Sequence, residues 1–252
     1  MILTTFLRGI LIIVFGMTVA GHISGQTGGI RITTNERDSH DGYDYEFWTD
    51  SRGAGSGSMT LTDNGTFICE WRNTYNILFR MGKKYYSTQR HDQLGNFVLE
   101  YGISEYNPIG TSYVTVYGWT TDPLVEFYII ENWGPNNYKG YSAGTHIHKG
   151  TITIDGDTYD IYESTRTNQP SILGNRTFKQ YWSIRRTRRS EGTISISEHF
   201  KAWQEAGLNM NGNMYEVAFC IEAFGGSARN ASGRAIVHKN KLTVNGVEVN
   251  AR

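Results

Sequence analysis

The chain has 252 residues, with 24 Lys and Arg against 24 Asp and Glu, 29 glycines, 16 tyrosines and only 4 prolines. That length supports one sizeable β core, and a formal net charge of zero argues against nucleic acid or an acidic surface as partner. No phosphate loop, zinc-ligand spacing or Ser/His/Asp order occurs, so nucleotide use, metallohydrolysis and acyl transfer have no support and no cofactor is expected.

Residues 1–25 begin with a short segment carrying Arg8 and an apolar run from Gly9 to Ala20. The run is too short to span a bilayer and reads as a secretory leader ending between residues 20 and 25. Gly21–Asp41 is polar and reads as a loose lead-in. From Gly42 the β signals begin. Tyr43, Tyr45 and Phe47 alternate, and Trp48 would by spacing alone be a core tryptophan. Ser51–Ser58 reads as a loop. Thr60–Trp71 reads as a hairpin turning at Asn64-Gly65, and the next strand, Trp71–Phe79, carries Asn76. Gly82–Glu100 reads as loop, with a short strand at Phe97–Tyr101.

Tyr113–Gly134 carries two alternating patterns. Tyr113, Thr115 and Tyr117 share one face and Val114 and Val116 the other. A break at Trp119–Pro123 follows, since Pro123 cannot donate to a central ladder. Then Leu124, Glu126, Tyr128 and Ile130 oppose Val125, Phe127 and Ile129. Glu126 is anomalous: a carboxylate among apolar and aromatic side chains is costly unless solvated or hydrogen-bonded. An exposed strand face and a ligand-binding carboxylate are equally good readings of it. His146 and His148 are two ligands where a metal needs three or four, and read as surface residues. Thr151–Tyr162 is a hairpin around Asp155-Gly156, and Ser164–Thr177 a long hairpin tip. Phe178–Ile184 is a strand with Gln180 and Trp182 on one face. The run Arg185–Arg189 reads as a solvated turn. One helix is expected, capped by Ser197, with Phe200 and Trp203 on one face and Gly207 at its end. Met214–Glu222 alternates again, with Glu216, Ala218, Cys220 and Glu222 opposite Val217, Phe219 and Ile221. Leu242–Val249 is a hairpin at Asn245-Gly246. Cys69 and Cys220 sit in strand patterns and read as buried thiols rather than a bridge.

Two carboxylates on separate strands, each among aromatics, are what glycoside hydrolysis requires. The segments YGWTTDPLVEFYIIENWG, TYDIYESTRTNQPSI and FKQYWSIR, with the strand at 214–222, resemble glycoside hydrolase family 11, the endo-β-1,4-xylanases. The resemblance runs from about Tyr43 to about Val244. CEWRNTYNILFRMGKKY and SEHFKAWQEAGLNM bring the chain nearest the forms from anaerobic gut microbes.

The resemblance implies a twisted two-sheet antiparallel β-jelly roll with a single helix and a curved cleft, one catalytic domain over 26–252. Alternating strands and tight turns independently argue for a sandwich. It further implies Glu126 as nucleophile and Glu222 as acid/base in retaining hydrolysis of xylan. Tyr117 and Tyr128 would bond the nucleophile side, Trp48 would stack on a distal sugar, and Asn76 would stand beside the acid/base. Arg166 and Gln180 would bind the sugar chain, and Pro170 would sit at the tip of a mobile thumb. Xylan or its oligosaccharides are the expected partner of a secreted monomer that binds neither nucleic acid nor membrane in its mature form. After Glu222 the chain departs from the family's Gly-Tyr-Gln-Ser-Ser-Gly. It reads Ala223-Phe224-Gly225-Gly226-Ser227, in a lengthened loop. A xylan-binding lectin and a β-1,4-glucanase of the related clan remain open alternatives.

Overall fold

The computed structural model describes residues 29–50, 55–135, 146–228 and 230–250, so the expected leader lies outside the described residues. Strands are numbered in chain order. One sheet runs β1 (Ile30–Ile32), β4 (Ser56–Leu61), β5 (Phe67–Thr74), β15 (Ala231–Val244), β7 (Phe97–Tyr106) and β13 (Glu191–Ile194), with β16 (Val247–Glu248) paired to β15. The second runs β10 (His146–Ile154), β11 (Asp157–Gln169), β12 (Arg176–Arg185), β9 (Val125–Trp133), β8 (Thr111–Thr121), β14 (Asn213–Phe224), β6 (Asn76–Lys84), β3 (Tyr43–Asp50) and β2 (Glu36–His40). Among the strands of the described residues, β12 and β9 pair in parallel and the other strand pairs are antiparallel. This is the expected all-β jelly-roll sandwich.

Period-2 alternation gives the second sheet two chemically different faces. Phe47, Phe79, Val114, Val116, Val125, Phe127, Ile129, Val217, Phe219 and Ile221 enter the core between the sheets. Leu78, Tyr113, Tyr117, Trp119, Tyr128, Ile130, Trp182 and Cys220 form a second cluster on the opposite face. Besides the single turn α1 (His91–Leu94), the described residues hold one longer helix, α2 (Ile196–Glu205), whose Phe200 and Trp203 pack behind β9, their rings 5.2 and 5.9 Å from Phe127. The Trp203 indole donates to Ser183 Oγ on β12 at 2.9 Å. The helix therefore braces two neighbouring strands from the side away from the second cluster.

Several local expectations are corrected. The strand expected over Trp71–Phe79 is two strands, because the chain crosses between sheets at Tyr75. The break at Trp119 lies later: β8 pairs through Thr121, and the turn is Asp122–Leu124. The lead-in contains β1 and β2, recruited by ladder bonds to edge strands rather than by side-chain pattern. The strand at Phe97 runs to Tyr106. The helix starts after Ser195, whose hydroxyl bonds Asp155 rather than the first turn, and the Ser197 hydroxyl accepts from the Phe97 amide at 2.8 Å. Asn64 and Gly65 take φ of 57° and 73°, as a type I′ turn requires. Both cysteines are free and buried.

The basic run is a solvated bend only over Arg186–Arg188, and its two ends are tied into the fold. Arg185 is buried and donates to Tyr159 Oη at 2.9 Å. Arg189 pairs with Glu131, which is wholly buried on the core face of β9 and also accepts from Tyr159 and Tyr101 at 2.5 and 3.2 Å. Removing one partner of such a pair strands a charge, whereas replacing both with apolar groups can be neutral. Glu131→Ala should therefore cost about 3–5 kcal/mol in urea unfolding, and Glu131→Leu combined with Arg189→Met should recover most of that loss.

Candidate active site

The second aromatic cluster floors a cleft of about 560 Å³. All the site residues named from the sequence line it: Trp48, Asn76, Tyr117, Glu126, Tyr128, Arg166, Pro170, Gln180 and Glu222. Glu126 lies on β9 and Glu222 on β14, separated by β8, which pairs with both. Tyr117 of β8 stands opposite Tyr128 in register, and their rings meet edge-on at 5.2 Å. Trp48 on β3 is opposite Leu78, next to the strand that carries Asn76. Pro170 and Ile172 come from the tip between β11 and β12, and Ile172 packs on the floor cluster. Hydrogen bonds between Ser171 and Gly174 close that tip. Phe224, 38% exposed, extends the cleft beside Tyr75, ring centroids 5.7 Å apart.

Glu126 is held at both oxygens. Tyr117 Oη donates to Oε1 at 2.7 Å, and Gln180 Nε2 donates to Oε2 at 2.6 Å. Each donor has its own support. Trp119 Nε1 donates to Tyr117 Oη at 2.6 Å. Ser164 Oγ donates to Gln180 Oε1 at 3.0 Å and accepts from Trp182 Nε1 at 3.1 Å. The Gln180 carbonyl is thus engaged, which turns its NH₂ toward Glu126. Trp119 and Ser164 escaped sequence reasoning. Trp119 was assigned to a turn, although its i, i+2 spacing from Tyr117 places it on the Glu126 face. Ser164 has no distinguishing pattern.

Glu222 is differently served. Its Oε2 and the nearby Asn76 Oδ1 are buried acceptors with no hydrogen-bond partner. Glu222 is opposite Leu78 in register and Asn76 is two residues along the same face, a diagonal neighbour. A proton on Glu222 supplies the donor that this corner lacks. Burial, then the charge of Glu126, pushes Glu222 up to about 8, against an opposing bond from Tyr128. Burial also raises Glu126, but bonds from Tyr117, Gln180 and Tyr128 oppose it, as does the charge of Arg166. The Tyr128 hydroxyl thus acts on both carboxyl groups. Tyr117 stays protonated, because burial and the Glu126 charge push it far above the ordinary phenol range. Both carboxyls are raised, but only Glu126 has donors at both oxygens that favour its charged form, while Glu222 favours its proton.

His146 and His148 do not converge on a metal. His146 faces the Trp182 ring at 5.5 Å, and His148 lies 3.8 Å from Asp160. Among the described residues no group of three or more His, Cys, Asp or Glu could hold an ion.

A twisted sandwich with paired carboxylates on the floor of a ring-lined cleft is the architecture of a glycoside hydrolase. The profile of Glycosyl hydrolases family 11 matches residues 40–232, and the chain belongs to that family. It is 48% identical over 96% of its length to an endo-1,4-beta-xylanase A of Thermoclostridium stercorarium, and 50% identical over 84% to one of Bacillus pumilus. It spans 34% of the former protein and 86% of the latter. It likewise spans only 33% of a bifunctional xylanase/deacetylase of Pseudobutyrivibrio xylanivorans, to which it is 50% identical over 85% of its own length. The structure of the family 11 xylanase from Neocallimastix patriciarum superposes with a TM-score of 0.75 at 33% identity, covering 86% of this chain and all of that one. The matched segment ends at residue 232, so most of β15 and all of β16 lie beyond it.

The raised Glu222 has a consequence for stability. The folded carboxyl holds its proton up to about pH 8, whereas an unfolded one loses it near 4.5. Between those values unfolding releases a proton, so rising pH favours the unfolded state. The neutral variant Glu222→Gln escapes this. Its Tm relative to the parent should rise from pH 4 to pH 9, as scanning calorimetry would show; a Tm difference independent of pH would contradict the protonated assignment.

Proposed function

We propose that the chain is a retaining endo-1,4-β-xylanase. Glu126 is the nucleophile, and Glu222 first protonates the leaving oxygen and then activates water. The observation that carries this reading is that Glu126 and Glu222 face one cleft from the two strands that flank β8, with donors at both oxygens of Glu126 and none at Glu222 Oε2. Double displacement pairs a charged carboxylate with a protonated one, and the two carboxyl groups should stand roughly 5–5.5 Å apart. Once Glu126 is glycosylated its charge is gone, so Glu222 acidifies and can act as base. The relatives' printed activities supply the substrate class: each named above is a xylanase. Rings at Trp48, Tyr117, Tyr128 and Phe224 along the cleft suit the faces of successive sugars, and Arg166, Gln180 and Pro170 suit contacts to the chain from β12 and the thumb. Residues 1–25 act as a leader that delivers a monomeric domain, 26–252, outside the cell.

The test is a product time course on xylan and on carboxymethyl-cellulose with the purified mature chain. Reducing sugar should appear from xylan, which a lectin would not release, and not from the cellulose derivative, which a glucanase would attack. Proton NMR should show the β-anomer first, and Glu126→Gln should lose at least about 10³-fold in kcat. The α-anomer appearing first would exclude the retaining mechanism.

The pH profile of kcat/KM should be bell-shaped, its acid limb set by Glu126 and its basic limb by Glu222. Asn76 cannot titrate. An Asp at that position would share the Glu222 proton and move the active window toward acid. Asn76→Asp should therefore lower the optimum by about one pH unit, and an unmoved or raised optimum would show that position 76 is not coupled to the acid/base.

A further inference from the structure

Arg80 has no part in the chemistry described so far, yet it lies on the cleft face of β6, buried at 7% exposure. Its guanidinium is gripped on two sides. Nη2 is 2.7 Å from Glu46 Oε2 on β3, and Nη1 is 3.2 Å from Glu216 Oε1 on β14. Lys84, farther along β6, closes the ring at 2.7 Å from Glu46 and 3.6 Å from Glu216. The four charges cancel. The Arg80 guanidinium also lies 4.9 Å from the centroid of the Tyr117 ring, whose hydroxyl donates to Glu126.

We infer that Arg80, fixed by Glu46 and Glu216, is a positioning residue that holds Tyr117 against the reactive carboxylate Glu126. The inference rests on the reading of Glu126 as nucleophile. Three physical points support it. A buried ion network is a poor source of stability, since apolar side chains of similar volume usually do as well. Its retention in a cleft floor calls for a geometric reason. Next, a planar guanidinium carries its donors in a rigid fork, so the two carboxylates that hold Arg80 also fix the orientation of its plane beside the Tyr117 ring. Lys84 meets the same carboxylates beside a different ring, Tyr215, at 5.5 Å, but as a point charge with no plane to orient. Finally, the Tyr117 hydroxyl is tied to Trp119 and Glu126, while its ring has edge contacts from Tyr128 at 5.2 Å and Trp119 at 6.5 Å. Arg80 restrains the swing of the phenol that those contacts leave open. The groups facing Arg80 are Glu46 from β3, Glu216, Cys220 and Glu222 from β14, Tyr117 from β8 and Lys84 from its own strand. Burial would raise Glu46, but Arg80 and Lys84 hold it down at about 2, so it stays ionised while the enzyme works.

The test compares Arg80→Met and Arg80→Lys on xylo-oligosaccharide, each alone and combined with Tyr117→Phe. Arg80→Met should lower kcat by about 10²-fold with little change in KM, the scale expected of a misplaced reacting group. It should also move the acid limb upward, because Glu126 loses an oriented donor. Arg80→Lys keeps the charge without the fork or the stack, so it should leave most of the limb shift in place and recover only part of kcat. In the Tyr117→Phe background either substitution should cost less than about 3-fold, since the hydroxyl through which Arg80 acts is gone. Additive losses with an unmoved limb would overturn the inference and leave Arg80 as structural support. If Arg80→Met does not fold, Arg80→Lys and its cycle with Tyr117→Phe decide alone. Glu126→Gln separates the two claims. An inactive Glu126→Gln beside a fully active Arg80→Met sinks only the positioning role, whereas an active Glu126→Gln sinks the reading on which it stands.

Discussion

Two carboxyl groups share the floor of one cleft, both nearly out of water, and they cannot both be charged without a large electrostatic cost. The cleft resolves this by unequal hydrogen bonding. Glu126 receives Tyr117 and Gln180 at its two oxygens, while Glu222 keeps a buried oxygen with no donor beside another lone acceptor on Asn76. A negative charge is satisfied at the first position and a proton at the second. Acid/base division of labour follows from the donor inventory before any substrate arrives.

That inventory depends on strand alternation more than on any loop. Along β9, Glu126, Tyr128 and Ile130 face the cleft, while Val125, Phe127, Ile129 and Glu131 face the core. A slip of one residue would send Glu126 into the hydrophobic interior and Glu131 into the cleft. Register is fixed from behind by Phe127 against Phe200 and Trp203 of α2, and by the ties of Glu131 to Tyr101, Tyr159 and Arg189. The core side of this strand is in effect the jig for its catalytic side.

The faces were legible in the sequence because period 2 is a local property. Alternation grouped Tyr117 with Tyr113, Glu126 with Tyr128, Gln180 with Trp182 and Glu222 with Cys220 on single strand faces, and the family likeness singled out the residues that line the cleft, including Trp48, Asn76, Arg166 and Pro170, whose positions depend on how strands assemble. What stayed hidden is pairing between distant strands. The run from Arg185 to Arg189 looks like a solvated turn until Glu131, more than fifty residues earlier, arrives beside it. Glu46, Arg80 and Glu216 look like three ordinary strand charges until β3, β6 and β14 lie side by side. Ladder-recruited edges such as β1 and β2 carry almost no side-chain signal at all.

These hidden pairs share one feature that bears on mechanism. Each lies against a strand that carries a cleft carboxyl: Glu131 and Arg189 behind Glu126 on β9, and Glu216 with Arg80 along β14 from Glu222. Charges in a low-dielectric setting hold their geometry stiffly, because any displacement costs both Coulomb energy and hydrogen bonds. Apolar packing is softer; Leu or Met can slide by a few tenths of an ångström at little cost. The proposed double displacement would need the nucleophile to keep its distance from the anomeric carbon while a proton moves to and from the opposite wall. A floor braced by ionic contacts suits the first need, and the exposed hairpin tip between β11 and β12 lies outside that bracing. Stiffness belongs where charge develops, and freedom belongs where the polymer must enter and leave.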